Sequence, residues 1–188
     1  MAKPYLLVVT GRPGSGKTTF ARALGDEIFM PVIGRDQIKE GYVHTFGKKH
    51  TELGVEANKA ASDIFFDTLR VLIESNVSLI AEAAFQHKIW SFMLEPFLDK
   101  ARIYLLICRV DAKTAQDRYI RRGLENRSRE YFHGDTGVDM ARKGMELTVS
   151  PYEEPRIDVP TFFVETSGTY APPIQELGHM ILGHRRRR

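Results

Sequence analysis

The sequence predicts an α/β fold, a three-layer α/β/α sandwich built on a parallel five-stranded sheet. Three observations predict it. Short apolar runs recur along the chain, separated by segments too long for hairpins. Stretches with helical periodicity fill those segments. A glycine-rich turn, Gly11-Arg12-Pro13-Gly14-Ser15-Gly16-Lys17-Thr18, joins the first run to the first helical stretch. Unbroken apolar runs suit strands covered on both faces, and right-handed crossovers place helices on both sides of such a sheet.

Strands are expected at residues 5–10, 31–33, 77–81, 102–108 and 161–165. Helices are expected at 17–29, 36–45, 52–75, 87–100, 111–125 and 173–182. The third helix carries Ile64, Phe65, Leu69, Leu72 and Ile73 at helical spacing. Pro96 predicts a bend in the fourth. Asp111 opens the fifth as a cap, and Pro173 stands at the start of the last. Residues 126–160 are polar and rich in turn formers, and read as an irregular segment.

A chain of 188 residues with 43% apolar and 27% charged side chains has the composition of one folded domain, expected over residues 1–184. No apolar run reaches the length of a membrane span, and the N-terminal run is too short for a secretion signal. The single cysteine, Cys108, forms no intrachain disulfide and lies in an apolar run. A reducing cytoplasm is the expected compartment. The six histidines show no metal-ligand spacing. The formal charge is +3, from 27 basic and 24 acidic residues; without the four terminal arginines 23 basic residues remain and the charge is −1. Basicity is therefore a property of the tail at residues 185–188, which argues against a body built to grip nucleic acid.

The turn at residues 11–18 has the spacing G-x-x-x-x-G-K-T between a strand and a helix. Glycines let consecutive backbone N–H groups turn inward toward phosphate oxygens, and the helix start adds its positive dipole end. Arg12, Pro13, Ser15 and the following Thr19 complete the expected phosphate-binding surface. Lys17 is placed to reach the β- and γ-phosphates, and Thr18 to offer a hydroxyl to Mg²⁺. The pattern implies ATP or a related nucleotide as ligand. An Asn-Lys-x-Asp guanine motif is absent; the one Asn-Lys pair continues as Asn58-Lys59-Ala60-Ala61.

Two acids stand at strand ends. Glu82 follows the third apolar run, where a carboxylate can hold the metal; the bland alternative is an acid leaving a strand for solvent. Asp36 follows the second run. It is a candidate general base for an attacking hydroxyl, a candidate Mg²⁺ ligand, or the cap of the helix it opens. Residues 111–129 carry Arg118, Arg121, Arg122, Arg127 and Arg129 and only one lysine, Lys113. Arg118 and Arg122 share a helix face, and planar guanidinium groups suit a lid, expected at about residues 118–135, that neutralises a moving phosphoryl group. The alternative is a solvated helix with Asp117, Glu125 and Glu130 as partners.

Taken in order, these pieces resemble the small P-loop kinases of the polynucleotide kinase, zeta toxin and chloramphenicol phosphotransferase group, and more distantly gluconate kinase. The matching features are residues 11–18, Arg35-Asp36-Gln37-Ile38, the strand ending at Glu82, the Arg118 and Arg122 pair, and Val164-Glu165-Thr166-Ser167-Gly168. The resemblance implies a P-loop nucleoside triphosphate hydrolase fold with an arginine-rich lid. It implies Asp36 as base and the segment with Thr166, Gly168 and Tyr170 near the adenine. Two departures stand out. The strand-end acid of such kinases is more often aspartate. After it they often carry a polar residue and then an arginine, where this chain has Ala83-Ala84-Phe85-Gln86-His87-Lys88. That difference points away from a charged acceptor.

The expected function is an ATP-dependent kinase acting on a hydroxyl of a small molecule, with ATP and Mg²⁺ as cofactors. A 5′-hydroxyl polynucleotide kinase and a nucleotide-binding module without transfer are the alternatives.

Overall fold

The computed structural model describes residues 2–145, 147–149 and 151–183. The arginine tail at 185–188 lies outside the described residues. Five strands form one sheet: β1 (Tyr5–Thr10), β2 (Val32–Gly34), β3 (Leu79–Glu82), β4 (Arg102–Arg109) and β5 (Thr161–Glu165). Their order is β2-β3-β1-β4-β5, and every pairing is parallel.

Between them run α1 (Lys17–Ile28), α2 (Arg35–Phe46), α3 (His50–Glu74), α4 (His87–Leu94) and α5 (Ala112–Glu125). Then come α6 (Ser128–His133), α7 (Thr136–Arg142) and, after β5, α8 (Ile174–Leu182). The helix at 87–100 is shorter than its sequence pattern suggests. It stops at Leu94, and Pro96 sits in a 3₁₀ turn, Glu95–Phe97, because proline supplies no N–H to an α-helix interior. α3 begins at His50 and changes direction at Gly54, whose φ of 67° leaves the helical region.

Each face of the sheet carries its own apolar cluster. Leu6, Val8, Leu79, Ala81, Leu105 and Ile107 point to the face covered by Phe65, Leu69 and Trp90. Leu7, Val9, Ile80, Leu106 and Val164 point to the face covered by Phe20, Leu24 and Leu177. The two-residue alternation of strand side chains accounts for this split. Burying one such side chain stabilises by about 1.5–3 kcal/mol, against about 1 kcal/mol for a helix cap. α1, α2 and α3 have no side-chain cap bond, so packing holds them rather than their ends. α5 has one: Thr114 N–H donates to the Asp111 carboxylate at 2.8 Å, as the sequence indicates.

The stretch from 126 to 160 corrects the sequence reading. It holds two short helices, α6 and α7, rather than an unbroken irregular segment. Each is too short to show periodicity, and Gly134, with φ 58°, turns the chain between them.

Candidate functional site

The loop between β1 and α1 forms a concave cradle. Gly14 and Gly16 adopt φ of 82° and 79°, open to glycine at little cost. A side chain at Gly14 would run into the Ala115 carbonyl of α5, so the loop and that helix approach backbone to backbone. The Ser15 hydroxyl is buried and has no hydrogen-bond partner. Lys17 is 8% exposed. An orphaned hydroxyl, a buried ammonium and a glycine-lined hollow at a helix start fit a polyphosphate.

Strand register brings the two acids to this cradle. Glu82 pairs in register with Val9 of β1 and Gly34 of β2. The alternative of a solvent-bound acid fails: Glu82 is the last residue of β3 and is 4% exposed. Thr18 Oγ1 donates to Glu82 Oε2 at 3.1 Å, and Lys17 Nζ lies 3.8 Å from Glu82 Oε1. Burial pushes the Glu82 carboxyl above its ordinary range; the Lys17 and Thr18 contacts act against that rise.

Asp36 sits in the first turn of α2, but the helix cap is Gly34, and no side chain caps it. The cap reading of Asp36 therefore fails, because the helix starts one residue earlier than its sequence pattern suggests. Asp36 Oδ1 instead accepts from the Arg35 guanidinium at a long 3.4 Å, and the side chain is half-exposed. Partial desolvation opposes its charge, yet His133, Lys17, Arg35 and Lys39 together hold the carboxyl below the ordinary range. Gly34, two residues before Asp36, pairs in register with Glu82, which brings the start of α2 to the side of the cradle.

The other side of the cradle is closed by the segment after β5. Thr166 is buried, with its hydroxyl 2.6 Å from the Ser15 carbonyl and 2.9 Å from that of Arg109. Its single proton donates to one of them. Arg118 donates to the Thr166 and Ser167 carbonyls at 3.1 and 3.2 Å. The solvated-helix reading of this arginine fails, and Glu130 pairs with Arg142 instead. Tyr170 packs edge-on against Phe20, and Gly168 stands open. Arg122 does not join Arg118 there; it is exposed and feels Arg129, Asp135 and Asp36.

Ala83 and Phe85 do not form an acceptor wall. Ala83 is in the core, and Phe85 stacks on Phe66 beside Trp90. Ala84 and Gln86 instead border a cavity of about 420 Å³, together with Arg12, Gln116, Tyr119 and Met140. Sequence reasoning missed Lys39, His50 and His133, all buried; the charges of Lys39 and His133 act on Asp36. The spacing of Lys39 three residues after Asp36 was the available signal. For His133 there was none, since α6 was not visible, and His50 lies two residues before the expected start of its helix.

The AAA domain family matches residues 6–144. A search of curated proteins finds no match. Among solved structures, a candidate kinase from Chloroflexus aurantiacus is 19% identical, with a TM-score of 0.72 over 97% of this chain and 99% of that one. The APS kinase of Mycobacterium tuberculosis, solved with AMPPNP and APS, is 15% identical, with a TM-score of 0.61 over 97% of each chain. A gluconokinase from Sinorhizobium meliloti is 16% identical, with a TM-score of 0.52 over 97% of this chain and 95% of that one. At these identities the likeness shows a shared fold.

Proposed function

The chain belongs to the AAA domain family, and from that premise we propose that it is an ATP-dependent kinase that phosphorylates a hydroxyl of a small molecule. One observation carries the reading: Lys17, Thr18 and Glu82 form a contacting set at the phosphate cradle, and Lys17 also acts on Asp36. The structural likeness to kinases of small acceptors supports it.

Residues 11–19 bind the triphosphate, with Lys17 at the β- and γ-phosphates. Thr166, Gly168 and Tyr170 flank the adenine. Thr18 and Glu82 would hold Mg²⁺, with Asp36 as a further ligand candidate; such an ion would supply charge neutralisation at the phosphates. Asp36 accepts the acceptor's hydroxyl proton as the oxygen forms its bond to the γ-phosphorus. The bond from that phosphorus to the β,γ-bridging oxygen breaks, and ADP leaves with the electron pair. Asp36 is ionised at neutral pH because of the cations around it, so it is ready to orient the hydroxyl. Helices α5 to α7 form the lid of a single domain. Arg118 fixes the adenine-side segment, and Arg122 faces the developing charge.

Among the described residues no helix is long and apolar enough to cross a membrane. Burial pushes the free Cys108 thiol up to about 12, which leaves it an inert core group suited to a reducing cytoplasm.

The test is ADP release from Mg-ATP in the presence of sugars, nucleosides, antibiotics and 5′-hydroxyl oligonucleotides. Stimulation by a small hydroxyl compound is expected. Stimulation by oligonucleotides alone would establish the polynucleotide alternative, and nucleotide binding with no transfer to any acceptor would favour a non-catalytic module.

A further inference from the structure

Where α6 packs on α2, the helix that carries Asp36, and on α3, the structure holds polar groups that its own contacts do not satisfy. Lys39, on α2, is 5% exposed. Its one hydrogen bond is to the His133 carbonyl, at 3.3 Å, and an ammonium has three donors. His50, at the start of α3, is 8% exposed, and both its ring nitrogens are buried without a partner. Arg129, on α6, has a buried Nε without a partner, and its pairing with Asp135 is a loose 3.7 Å. These three side chains come from three helices and meet where α6 packs on α2 and α3. Gly134 lies against His50, and Lys39 feels Arg35, Asp36, Asp135 and Arg129.

A structural role alone does not account for this. Each buried polar group left unpaired is destabilising, and apolar side chains of similar size would fill the same space without that cost. Such groups gathered beside a candidate base are the arrangement expected of a ligand site whose partner completes the bonds. The Lys39 ammonium and the Arg129 guanidinium only donate, and a neutral His50 ring has one donor and one acceptor nitrogen; Asp135 Oδ2, also buried without a hydrogen bond, is the one carboxylate oxygen among the described residues left unpaired beside them. Donors are in excess, so the partner is an acceptor of hydrogen bonds with negative charge.

We propose that the phosphoryl acceptor is an anionic hydroxy compound whose oxyanion group is bound by Lys39, His50 and Arg129 while its hydroxyl faces Asp36. This rests on the kinase reading above and adds the acceptor's chemical class. The charge comes from α2, α3 and the lid, not from the segment after β3, where the sequence pattern suggested an uncharged acceptor. The burial of Lys39, His50 and His133 where α6 meets α2 and α3 favours a small oxyanion over a strand, whose chain would have to continue out of the site.

Calorimetry tests this on the full chain saturated with Mg²⁺ and a non-hydrolysable ATP analogue, so that the phosphate cradle is filled. Inorganic phosphate and acetate are titrated separately. Saturable one-site binding of either is expected, and the tighter arm shows whether the oxyanion is a phosphate or a carboxylate. His50→Gln and Lys39→Met are each expected to weaken that binding at least tenfold and to leave analogue affinity unchanged. If the analogue binds but neither anion does, or if both folded variants bind the anion like the wild type, the proposal is overturned and the kinase reading stands. If the analogue itself does not bind, both fall. A 5′-hydroxyl oligonucleotide that displaces the bound anion would overturn the small acceptor in favour of a nucleic-acid end.

Discussion

Thr18 Oγ1 donates to Glu82 Oε2 at 3.1 Å, joining the end of the phosphate loop to the end of the neighbouring strand. The pairing follows from topology. β3 lies between β1 and β2, so its terminal carboxylate cannot turn to solvent and meets the loop that follows β1. A hydroxyl and a carboxylate held this way form a ready pair of oxygen ligands for a hard cation.

Glu82→Gln keeps the shape and removes the charge. Turnover with saturating ATP is expected to fall by about tenfold or more, with a higher Mg²⁺ concentration needed for half-maximal rate. Steady-state rates over a Mg²⁺ titration check this. An unchanged Mg²⁺ dependence would remove Glu82 from the metal site.

Lys17→Ala removes the one ammonium in the cradle. It is expected to abolish transfer and to weaken ATP binding, as measured by ADP release and calorimetry. Because Lys17 also neutralises buried Glu82, the variant is expected to be less stable unless Glu82 is changed with it.

Thr166→Val keeps volume but loses the hydroxyl that ties the segment after β5 to the Ser15 carbonyl at 2.6 Å. The loss is expected to cost about 0.5–1.5 kcal/mol of stability, with weaker nucleotide binding because the loop loses a support. Denaturant unfolding and nucleotide titration measure the two effects. Stability equal to wild type would mean that water replaces the bond.

The phosphate cradle was legible because its chemistry is written in consecutive residues, and β1 and β5 because their apolar runs have sharp ends. The position of Glu82 was legible as a strand end, but its burial was not. That depends on which strands lie beside β3, and pairing order is not a local property. The Asp36 cap reading failed by two residues, since the cap is Gly34 and a helix start is set by backbone angles there that Gly-Arg-Asp does not dictate. Arg118 and Arg122 share a helix face in sequence, yet one reaches the Thr166 carbonyl and the other does not. Lys39, His50 and Arg129 meet only through tertiary packing of α2, α3 and α6, so no window of sequence contains them together.

Lys39 gives a prediction for pH. Burial, with the charge of Arg35, lowers its pKa from 10.5 to about 8. Between those values the unfolded chain binds the proton more tightly than the folded one, so this group makes stability rise with pH over that window. Below about pH 8 the destabilising contribution is fully present. Lys39→Met removes it. The stability difference between the wild type and Lys39→Met is therefore expected to shift in favour of the wild type from pH 8 to pH 10.5, read by denaturant unfolding. A difference that is flat with pH would mean that Lys39 titrates normally.

The account depends most on Asp36 taking the hydroxyl proton, and Asp36→Asn isolates that step because the amide keeps the shape and cannot act as the base. Single-turnover rates with the accepted substrate, beside analogue binding by calorimetry, test it. Turnover at least about a hundredfold below wild type with unchanged nucleotide affinity is predicted, the usual size for a lost general base. Wild-type turnover in that variant would contradict the account.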